Sequence, residues 1–548
     1  MGKVGPTRRW RVWRSWLSSL LLALLLFSAA PRAQAADPPQ AKPLPTTMLL
    51  GIAAHAWWLD PYQDQILAAY QDLHVQVVRI SIDWKRVEAV PGTYDWSLYD
   101  RTLLPLAERH IAIVADLVSF PAWTSTDPLC AQLAAETAHC LPRAGVDADW
   151  ARFCAAAAAR YPFIERWEIW NEPELWAGIR DAKVYLDYFT RAYRAIHANH
   201  PGARVAISTL VGWDWVADLY WSTPAQDRVW DAVAYHPYPI PGGISGENPA
   251  VPIDINRINR LRLEMERNGT PGRPIWITEF GWSRSPEEQA VRLRNALAWF
   301  AGRTDIELVC LHQLLDWSGD DPAPDGYGLM RADPRPPEEN PPPTTLTPKE
   351  PYYSAFRDYP RVTPPPPPDT PTRHFFPPTG QTVSGDFLAY WQAHGGLAQF
   401  GYPLTDVRWD QLEDGRWYQV QYFERARFEY HPENQAPYNV LLGQFGRWLH
   451  PADPPLPPPA ALSPDTAYFA QTGHLVTGRF LTYWQANGGL AQFGFPISEV
   501  MQEQLEDGQT YQVQYFERAR FEWHPANRAP YDVELGQFGR RVLATRQP

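Results

Sequence analysis

The feature that most constrains this chain is the alternation of strand-like and helix-like stretches between residues 47 and 358. Short apolar stretches typical of buried strands lie at 48–54, 75–82, 111–118, 164–170, 204–209, 229–235, 274–278 and 306–312. Stretches with helical periodicity separate most of them, at 62–72, 96–109, 150–160, 181–199, 253–268 and 286–302. Eight strands with intervening helices in about 310 residues predict an α/β fold, a (β/α)8 barrel of the TIM type.

A doubly wound open sheet is the alternative arrangement for alternating strands and helices. Such a sheet is expected to carry a glycine-rich phosphate loop directly after its first strand. The chain has Gly51-Ile52-Ala53-Ala54-His55 at this position, which lacks that pattern. The barrel is therefore the preferred prediction.

Proline-rich stretches divide the rest of the chain. Residues 364–368 are an unbroken proline run, and residues 454–459 are proline apart from Leu456. Such runs form extended, semi-rigid spacers. We therefore expect the barrel at 47–358, a linker at 359–374, a small module at 375–450, a second linker at 451–465 and a second module at 466–543.

The two small modules are tandem copies of one another. The segment Gly395–Gly401 recurs as Gly488–Gly494, and residues 421–429 recur at 514–522, in both cases 93 positions later. A constant offset means that no net insertion or deletion separates the copies. Each copy has about 75 residues, which is near the lower limit for an independent hydrophobic core.

The beginning of the chain has the pattern of a secretory signal peptide, which we expect to span 1–36. A basic stretch that includes Arg8 and Arg9 precedes an apolar run at 17–27, and residues 33–35 (Ala-Gln-Ala) supply a small-x-small cleavage site. The apolar run is shorter than the roughly 20 residues that a membrane span needs, although an uncleaved anchor is the alternative. We therefore expect a secreted, extracellular protein.

Composition excludes some partners and favours others. The formal charge of −12 makes nucleic acid and anionic membrane surfaces poor partners. Aromatic residues make up 14% of the chain, which favours a carbohydrate-binding cleft, although tightly packed small repeats also use aromatic residues.

The four cysteines have different expected environments. Export permits disulfides, and Cys130 and Cys140 bracket a loop-like segment that we expect to be closed by one. Cys154 lies in an alanine-rich helical stretch and Cys310 in an apolar strand, so both are expected to be buried thiols. Four cysteines allow three complete pairings, and the sequence does not choose among them. No Cys/His cluster has the spacing of a zinc site, and no metal or organic cofactor is expected.

In a barrel of this type, the residues that act on a ligand lie at the carboxyl ends of the strands. Glu172 and Glu279 follow two different strands, and two such carboxylates are the minimum equipment for cleaving a glycosidic bond. Glu168 is expected to point into the barrel by strand parity and to form an ion pair there. The other polar or aromatic residues on the strands or at their ends are His55, Arg79, Trp123, Asn171, His236, Tyr238 and Trp317.

This set of residues resembles glycoside hydrolase clan A, the retaining (β/α)8 glycosidases, and the resemblance covers the whole barrel. Asn171-Glu172 matches the Asn-Glu pair that carries the acid/base in that clan, and Glu279 matches the nucleophile. The residues around Glu172 and the ending at 326–329 look most like family 39 and its neighbours in family 5. A proline-rich insert at about 334–348 departs from their pattern.

The resemblance implies a double displacement in which Glu172 is the general acid/base and Glu279 is the nucleophile. Glu172 would then need a raised pKa, and neighbours such as Arg79 would keep Glu279 ionised. Asn171 would hydrogen-bond the 2-hydroxyl of the sugar. The resemblance implies no cofactor. The remaining candidates for substrate binding are Arg79, His236, Tyr238, Trp317, Trp123 and His55.

Each assignment has a structural alternative. A glutamate at a strand end can cap the following helix, Arg79 can be a structural ion-pair partner, and His236 can be a core histidine. Trp123 and Trp317 can be loop packing. For the whole protein, the alternative is a non-catalytic carbohydrate-binding or surface-attachment protein on a degenerate barrel.

The C-terminal copies resemble the short LGFP-like modules of exported bacterial proteins through 400–403 (Phe-Gly-Tyr-Pro) and 493–496 (Phe-Gly-Phe-Pro). The resemblance implies attachment to a cell wall or polysaccharide, with Tyr390-Trp391 and Tyr483-Trp484 stacking on sugars. The alternative is that these aromatic residues form the core of a small domain, which the size of the copies favours.

Overall fold

The structure is a computed structural model that describes residues 48–56, 63–125, 145–175, 179–210, 212–238, 252–316, 326–333, 345–361 and 370–546. The predicted signal peptide, Cys130, Cys140 and Trp317 lie outside these ranges. Within them, no helix is both long enough and apolar enough to cross a membrane.

Eight parallel strands form a closed barrel in the order of the chain. They are β1 (Leu49–His55), β2 (Val77–Asp83), β3 (Ala112–Val118), β4 (Arg166–Ile169), β5 (Arg204–Thr209), β6 (Ala232–Tyr235), β7 (Ile275–Phe280) and β8 (Ile306–His312). Pairing of β1 with β8 closes the barrel. Most strand residues are buried on both faces, which is why the strands are continuous apolar runs in the sequence. The predicted (β/α)8 fold is confirmed.

Helices cover the outside of the barrel. They are α1 (Gln63–Asp72), α2 (Ser97–Glu108), α3 (Val146–Arg160), α4 (Ala182–Asn199), α5 (Trp213–Ser222), α6 (Ile255–Arg267), α7 (Pro286–Phe300) and α8 (Tyr352–Arg357). Single turns of helix occur at Trp84–Val87, Ala122–Thr124, Pro173–Leu175 and Ala225–Asp227.

Helix α5 was not predicted from the sequence, and β6 begins three residues later than predicted. Trp215, Val216, Leu219 and Tyr220 are the buried residues of α5, and their spacing is helical. Four of the ten residues of α5 are aromatic, and aromatic residues favour strands, so composition obscured the helical period.

A short antiparallel hairpin follows the barrel strands. It pairs β9 (Met330–Asp333) with β10 (Thr345–Pro348). Just after β10, the ammonium of Lys349 lies 3.1 Å from the carboxylate of Asp316, and both side chains are fully buried. This ion pair fixes the hairpin to the chain that leaves β8.

The barrel interior combines small residues with one large ring. The interior cluster contains Ala53, Val77, Val114, Ala206, Ala232, Ala234, Trp276, Leu308 and Cys310. Alanines beside Trp276 leave room for the indole, and this fills the interior without a pore. Cys310 here and Cys154 in α3 are buried free thiols, as expected.

The two C-terminal modules have the same elements. The first has β11 (Arg373–Phe376), β12 (Gln381–Ser384), α9 (Gly385–Ala393), α10 (Gly396–Phe400), β13 (Arg408–Gln411), β14 (Trp417–Tyr422), β15 (Arg427–Tyr430), β16 (Val440–Leu442) and α11 (Phe445–Leu449). The second has β17 (Thr466–Phe469), β18 (His474–Thr477), α12 (Gly478–Ala486), α13 (Gly489–Phe493), β19 (Met501–Gln504), β20 (Thr510–Tyr515), β21 (Arg520–Trp523), β22 (Val533–Leu535) and α14 (Phe538–Arg546). In each module, one hairpin and three helices accompany a four-stranded antiparallel sheet.

Each module has a small core of its own. Tyr390 and Trp391 pack against the core of the first module, and Tyr483 and Trp484 pack against that of the second. The ring of Trp391 lies edge-on to Phe376 at 5.3 Å. These contacts agree with the alternative in which the four aromatic residues are structural.

A third core is shared between the modules. It joins Tyr422 and Phe445 of the first module to Tyr515 and Phe538 of the second. Reciprocal ion pairs surround it, since Arg447 pairs with Glu517 and Arg540 pairs with Glu424. The same contacts made in both directions are those of a two-fold related pair. A shared core explains how copies of this size bury enough apolar surface.

Gly446 is predicted to be essential for this pairing. A Cβ atom at Gly446 would lie 1.7 Å from the carbonyl oxygen of Phe516 in the other module. We expect Gly446→Ala to lower the free energy of unfolding of the modules by roughly 1–3 kcal/mol, because the paired surfaces must move apart. Differential scanning calorimetry of the full chain measures the shift. Gly272→Ala is the control, since a Cβ there meets open space; equal transitions in the two variants would contradict the prediction.

Candidate active site

Two glutamates from different strands face one another at the carboxyl end of the barrel. Glu172 follows β4 by three residues, and Glu279 is the second-last residue of β7. An oxygen of Glu172, an oxygen of Glu279 and a ring nitrogen of His236 all lie within 4.8 Å of one another. The side chains of Glu172 and Glu279 are 17% and 11% exposed, so both acids can be reached from solvent.

Arg79 of β2 connects most of the acidic groups around this site. Its guanidinium donates to Glu168 at 2.7 Å, to Glu279 at 2.6 Å and to Asp116 at 2.9 Å. It also donates to the side-chain oxygen of Asn171 at 2.9 Å. Burial alone would lower the pKa of Arg79, but the three carboxylates raise it well above its usual value. Arg79 is therefore a permanent buried cation, and the expected interior ion pair of Glu168 is confirmed.

His236 lies between the two glutamates and is closer to Glu172. Its Nδ1 atom lies 2.8 Å from Glu172 and 3.8 Å from Glu279, and its Nε2 atom lies 3.1 Å from the hydroxyl of Thr278. Burial opposes protonation, but the Glu279 and Glu172 carboxylates outweigh it and raise the pKa of His236 to about 9. The Glu172–His236 pair therefore retains a proton at neutral pH.

Tyr238 completes the surroundings of Glu279. Its hydroxyl donates to one Glu279 oxygen at 3.0 Å, and the other oxygen accepts from Arg79. Burial and the Glu279 carboxylate raise the pKa of Tyr238 well above its usual value, so the phenol keeps its proton. Both oxygens of Glu279 thus accept hydrogen bonds, an arrangement that favours the ionised carboxylate.

Asp116 of β3 is a further acid that contacts Arg79. It accepts from Arg79 at 2.9 Å and from Ser81 at 3.0 Å. Burial raises the pKa of Asp116 to about 8 against the opposing effect of Arg79.

The backbone that carries Glu172 is strained. Trp170 and Glu172 have φ angles of 71° and 49°, in the left-handed region that residues other than glycine rarely adopt. Trp170 is held by Phe120, whose ring lies 4.6 Å away. Glu174 in the following turn accepts from the backbone N–H of Leu210 at 2.8 Å. Packing on both sides therefore maintains a conformation that turns Glu172 into the mouth of the barrel.

Glu172, His236 and Glu279 are also the kind of group that can bind a cation, given their spacing. The hydrogen bonds among these residues argue against a cation site. His236 is hydrogen-bonded to Glu172, and both oxygens of Glu279 already accept hydrogen bonds from Arg79 and Tyr238. A cation would have to displace these partners and would face the fixed positive charge of Arg79.

The remaining predicted site residues lie apart from this network or are not described. His55 ends β1, and its side chain is not described. Trp123 is half-buried, donates its indole N–H to the carbonyl of Glu88 at 2.8 Å, and lies edge-on to Trp84 at 5.6 Å. Trp317 is outside the described residues.

Two aromatic residues near Glu279 were not proposed for the site from the sequence. Nδ1 of His312 lies 3.8 Å from a Glu279 oxygen, and the ring of Tyr327 lies 5.4 Å from that of His312 and 6.1 Å from that of Tyr238. His312 ends the eighth predicted strand, so the rule that selected the other strand ends could also have selected it.

The chain was compared with protein-family models, with curated proteins and with solved structures, and similarity was found only to solved structures. No protein-family model matches the chain, and no curated protein matches it. A monomeric beta-xylosidase from Caulobacter crescentus CB15 is 19% identical, with a TM-score of 0.44 over 58% of this chain and 68% of its own. A family 39 glycoside hydrolase from Bacteroides cellulosilyticus WH2 is 19% identical, with a TM-score of 0.44 over 58% and 64%. A family 1 b-glucosidase from Thermotoga maritima is 13% identical, with a TM-score of 0.41 over 58% and 98%.

The raised pKa of His236 predicts how stability depends on pH. The folded protein holds this proton more tightly than the unfolded chain, whose histidines titrate near 6.5. The contribution of His236 is therefore complete below about pH 6.5 and is lost as the pH rises through about 9. Asp116 contributes in the same direction, because its pKa is also raised on folding. We expect the melting temperature of the wild-type protein to fall across this range.

Thermal unfolding of His236→Gln between pH 6 and 10 separates the contribution of the histidine. The variant has no titrating ring, so we expect its melting temperature to fall less steeply than that of the wild-type protein. His374→Gln, which removes a partly exposed histidine of the first module, is the matched control and keeps the wild-type slope. Parallel curves for His236→Gln and the wild type would contradict the assignment.

Proposed function

We propose that the chain is a secreted retaining glycoside hydrolase that cleaves β-glycosidic bonds of oligo- or polysaccharides. The main support is the close approach of Glu172 and Glu279, whose oxygens come within 4.8 Å of one another. Retaining enzymes hold their two carboxyl groups about 5–5.5 Å apart, whereas inverting enzymes leave about 6.5–9.5 Å for a water molecule. The observed spacing suits direct attack by one of the carboxylates.

Glu279 is the proposed nucleophile. Arg79 and Tyr238 donate to its two oxygens and stabilise the anion, while access from the barrel mouth leaves it able to reach an anomeric carbon. Attack forms a glycosyl ester at Glu279 and breaks the bond to the leaving oxygen. In the second step, water attacks the same carbon and releases the carboxylate.

Glu172 is the proposed acid/base, and His236 supplies its proton. The 2.8 Å contact between Nδ1 of His236 and Glu172 allows the pair to hold one proton at neutral pH. Glu172 gives a proton to the leaving oxygen in the first step and takes one from water in the second. His236 passes its proton to Glu172 for the first step and receives the proton that Glu172 takes from water in the second, in both cases across the same hydrogen bond.

Asn171 is the proposed partner of the sugar 2-hydroxyl. Its side-chain oxygen accepts from Arg79 at 2.9 Å, which directs the amide N–H group to the opposite side. A donor beside the nucleophile can bind a hydroxyl next to the anomeric carbon, a contact that strengthens in the transition state.

Secretion and attachment complete the proposal. The pattern at 1–36 supports export, and the resemblance of the modules to LGFP-like repeats supports attachment to a cell wall or polysaccharide. The attachment surface need not include Trp391 or Trp484, since both pack against module cores.

Replacement of the nucleophile tests the assignment. Glu279→Ala should lower kcat/KM on aryl β-glycosides at least about a thousandfold, because no carboxylate remains to form the ester. Glu266→Gln, on the exposed face of α6, is the control and keeps wild-type rates. Circular dichroism establishes that both variants fold. Near-normal turnover by a folded Glu279→Ala protein would favour the non-catalytic alternative.

The anomeric configuration of the first product tests the geometry independently. Two successive displacements at one carbon retain configuration, so a β-glycoside should release the β-anomer. Proton NMR within the first minutes of reaction, before mutarotation, distinguishes the two anomers. Release of the α-anomer would exclude direct attack by Glu279.

A further inference from the structure

A groove of about 900 Å³ lies between the barrel and the first module. Its barrel side is formed by Asp100 and Leu104 and by residues 159–162 and 199–202. The latter two segments lead into the amino ends of β4 and β5. The groove therefore lies away from the barrel end that carries Glu172 and Glu279. Its volume is at the upper end of the 300–1,000 Å³ typical of ligand clefts.

The module side of the groove is one face of an antiparallel sheet. In the pairing of β13, β14 and β15, Trp409 lies opposite Gln419 and Gln419 lies opposite Tyr430. On the same face, Gln411 lies opposite Trp417. All five residues line the groove. Aromatic rings and primary amides therefore alternate on this surface.

The tryptophans of this face are not required by the fold of the module. In the second module, the positions of Trp409 and Trp417 are taken by Gln502 and Thr510, 93 residues later, in strands of the same length. The glutamines, by contrast, recur as Gln504 and Gln512. The sheet forms in both modules with or without the two indoles, so the fold does not require them, and their position is on the surface that faces the barrel.

The charged residues of the groove compensate one another. Arg160 donates to Asp100 at 2.8 Å across the barrel side, and Arg416 and Glu433 contribute one charge of each sign on the module side. No excess of either sign is available to attract a nucleotide, a phosphate or a polyamine. The groove suits an uncharged ligand with both apolar faces and hydroxyl groups.

We propose that this groove is a second saccharide-binding site, specific for an uncharged oligosaccharide or polysaccharide chain. The rings of Trp409 and Tyr430 stack on the C–H faces of pyranose units, and the amide of Gln419 between them binds their hydroxyl groups. The amide of Gln411 donates to the carbonyl of Gly415 at 2.8 Å and so holds the hairpin turn at the edge of the groove. A chain bound here lies away from the barrel end that carries the two glutamates, so this site holds the protein on a polymer without delivering that segment to be cleaved. The site is separate from the proposed catalytic site and does not depend on it.

Docking of the module onto the barrel accounts for only part of this surface. The ring of Trp417 lies 4.7 Å from that of Phe163, so this tryptophan also connects the two bodies. Trp409 also lies beside barrel residues His110 and Phe163, whereas Gln419 and Tyr430 line the groove. Trp409→Gln is therefore the sharper substitution, because it leaves the contact between Trp417 and Phe163 in place.

Isothermal titration calorimetry of the full chain tests the proposal. All proteins carry Glu279→Gln to prevent turnover, and the probes are cellohexaose, xylohexaose and the anionic hexagalacturonate. We expect at least one neutral hexasaccharide to bind, and Trp409→Gln to weaken that binding about tenfold or more through loss of ring stacking. The double variant W409Q/W417T installs the residues of the second module and should abolish it. Trp221→Gln removes an 88% exposed tryptophan outside the groove and should have no effect.

Three results would overturn the proposal: equal binding of the neutral hexasaccharides by Trp409→Gln and its parent, binding of hexagalacturonate alone, or no binding of any probe at millimolar concentration. The proposed catalytic function is assessed separately, by turnover of aryl β-glycosides by the wild-type chain. A chain without turnover can still bind in the groove, and a chain without groove binding can still hydrolyse, so the two failures are distinguishable.

Discussion

The buried guanidinium of Arg79 is the interaction on which the arrangement of this site depends. It joins β2 to acids on β3, β4 and β7, so four of the eight strands meet at one cation. Without it, Asp116, Glu168 and Glu279 would face one another in a region of low dielectric constant. Removing one partner from such a buried network costs about 3–5 kcal/mol, because the remaining charges are left uncompensated. The same bonds that stabilise the barrel thus also hold Glu279 ionised and correctly aimed.

The two glutamates have different environments because their partners differ. Glu279 accepts from a permanent cation and from a phenol that keeps its proton. Glu172 contacts a histidine whose own charge can change, and it sits on a strained backbone at the barrel mouth. The hydrogen bonds to Glu279 therefore come from two groups that keep their protons, whereas Glu172 is hydrogen-bonded to a histidine that can exchange one. This asymmetry is what a nucleophile and an acid/base require.

The sequence predicted the fold, the position of the two acids at the barrel mouth, and Arg79, His236 and Tyr238 as site residues, but not which acid each of them contacts or the part played by Asp116. Continuous apolar runs located all eight strands, because both faces of a parallel barrel are buried, and the strand ends then selected Glu172 and Glu279. Asp116 was not predicted to belong to the site because it lies inside a predicted strand. The alternation of side chains along a strand shows that Asp116 points inward, but it does not show which residues it contacts. The contact of His236 with Glu172 depends on the turn at Trp170, whose backbone has a left-handed conformation. Glycine is the usual sequence signal for that conformation, and Trp170 does not provide it. The helix α5 was missed because its composition favours a strand.

The repeats show how a duplicated unit can divide its surface between two roles. In a two-fold related contact, the same surface patch of both copies is buried in the interface, so both copies must keep the residues that form it. The pairs Tyr422/Tyr515 and Phe445/Phe538 are accordingly identical in the two modules. The outer face of the sheet has no such restraint, since only the first module presents it to the barrel. Trp409 and Trp417 have therefore diverged from Gln502 and Thr510. Gln411 and Gln504 are retained because each donates to a glycine carbonyl in the hairpin turn of its module.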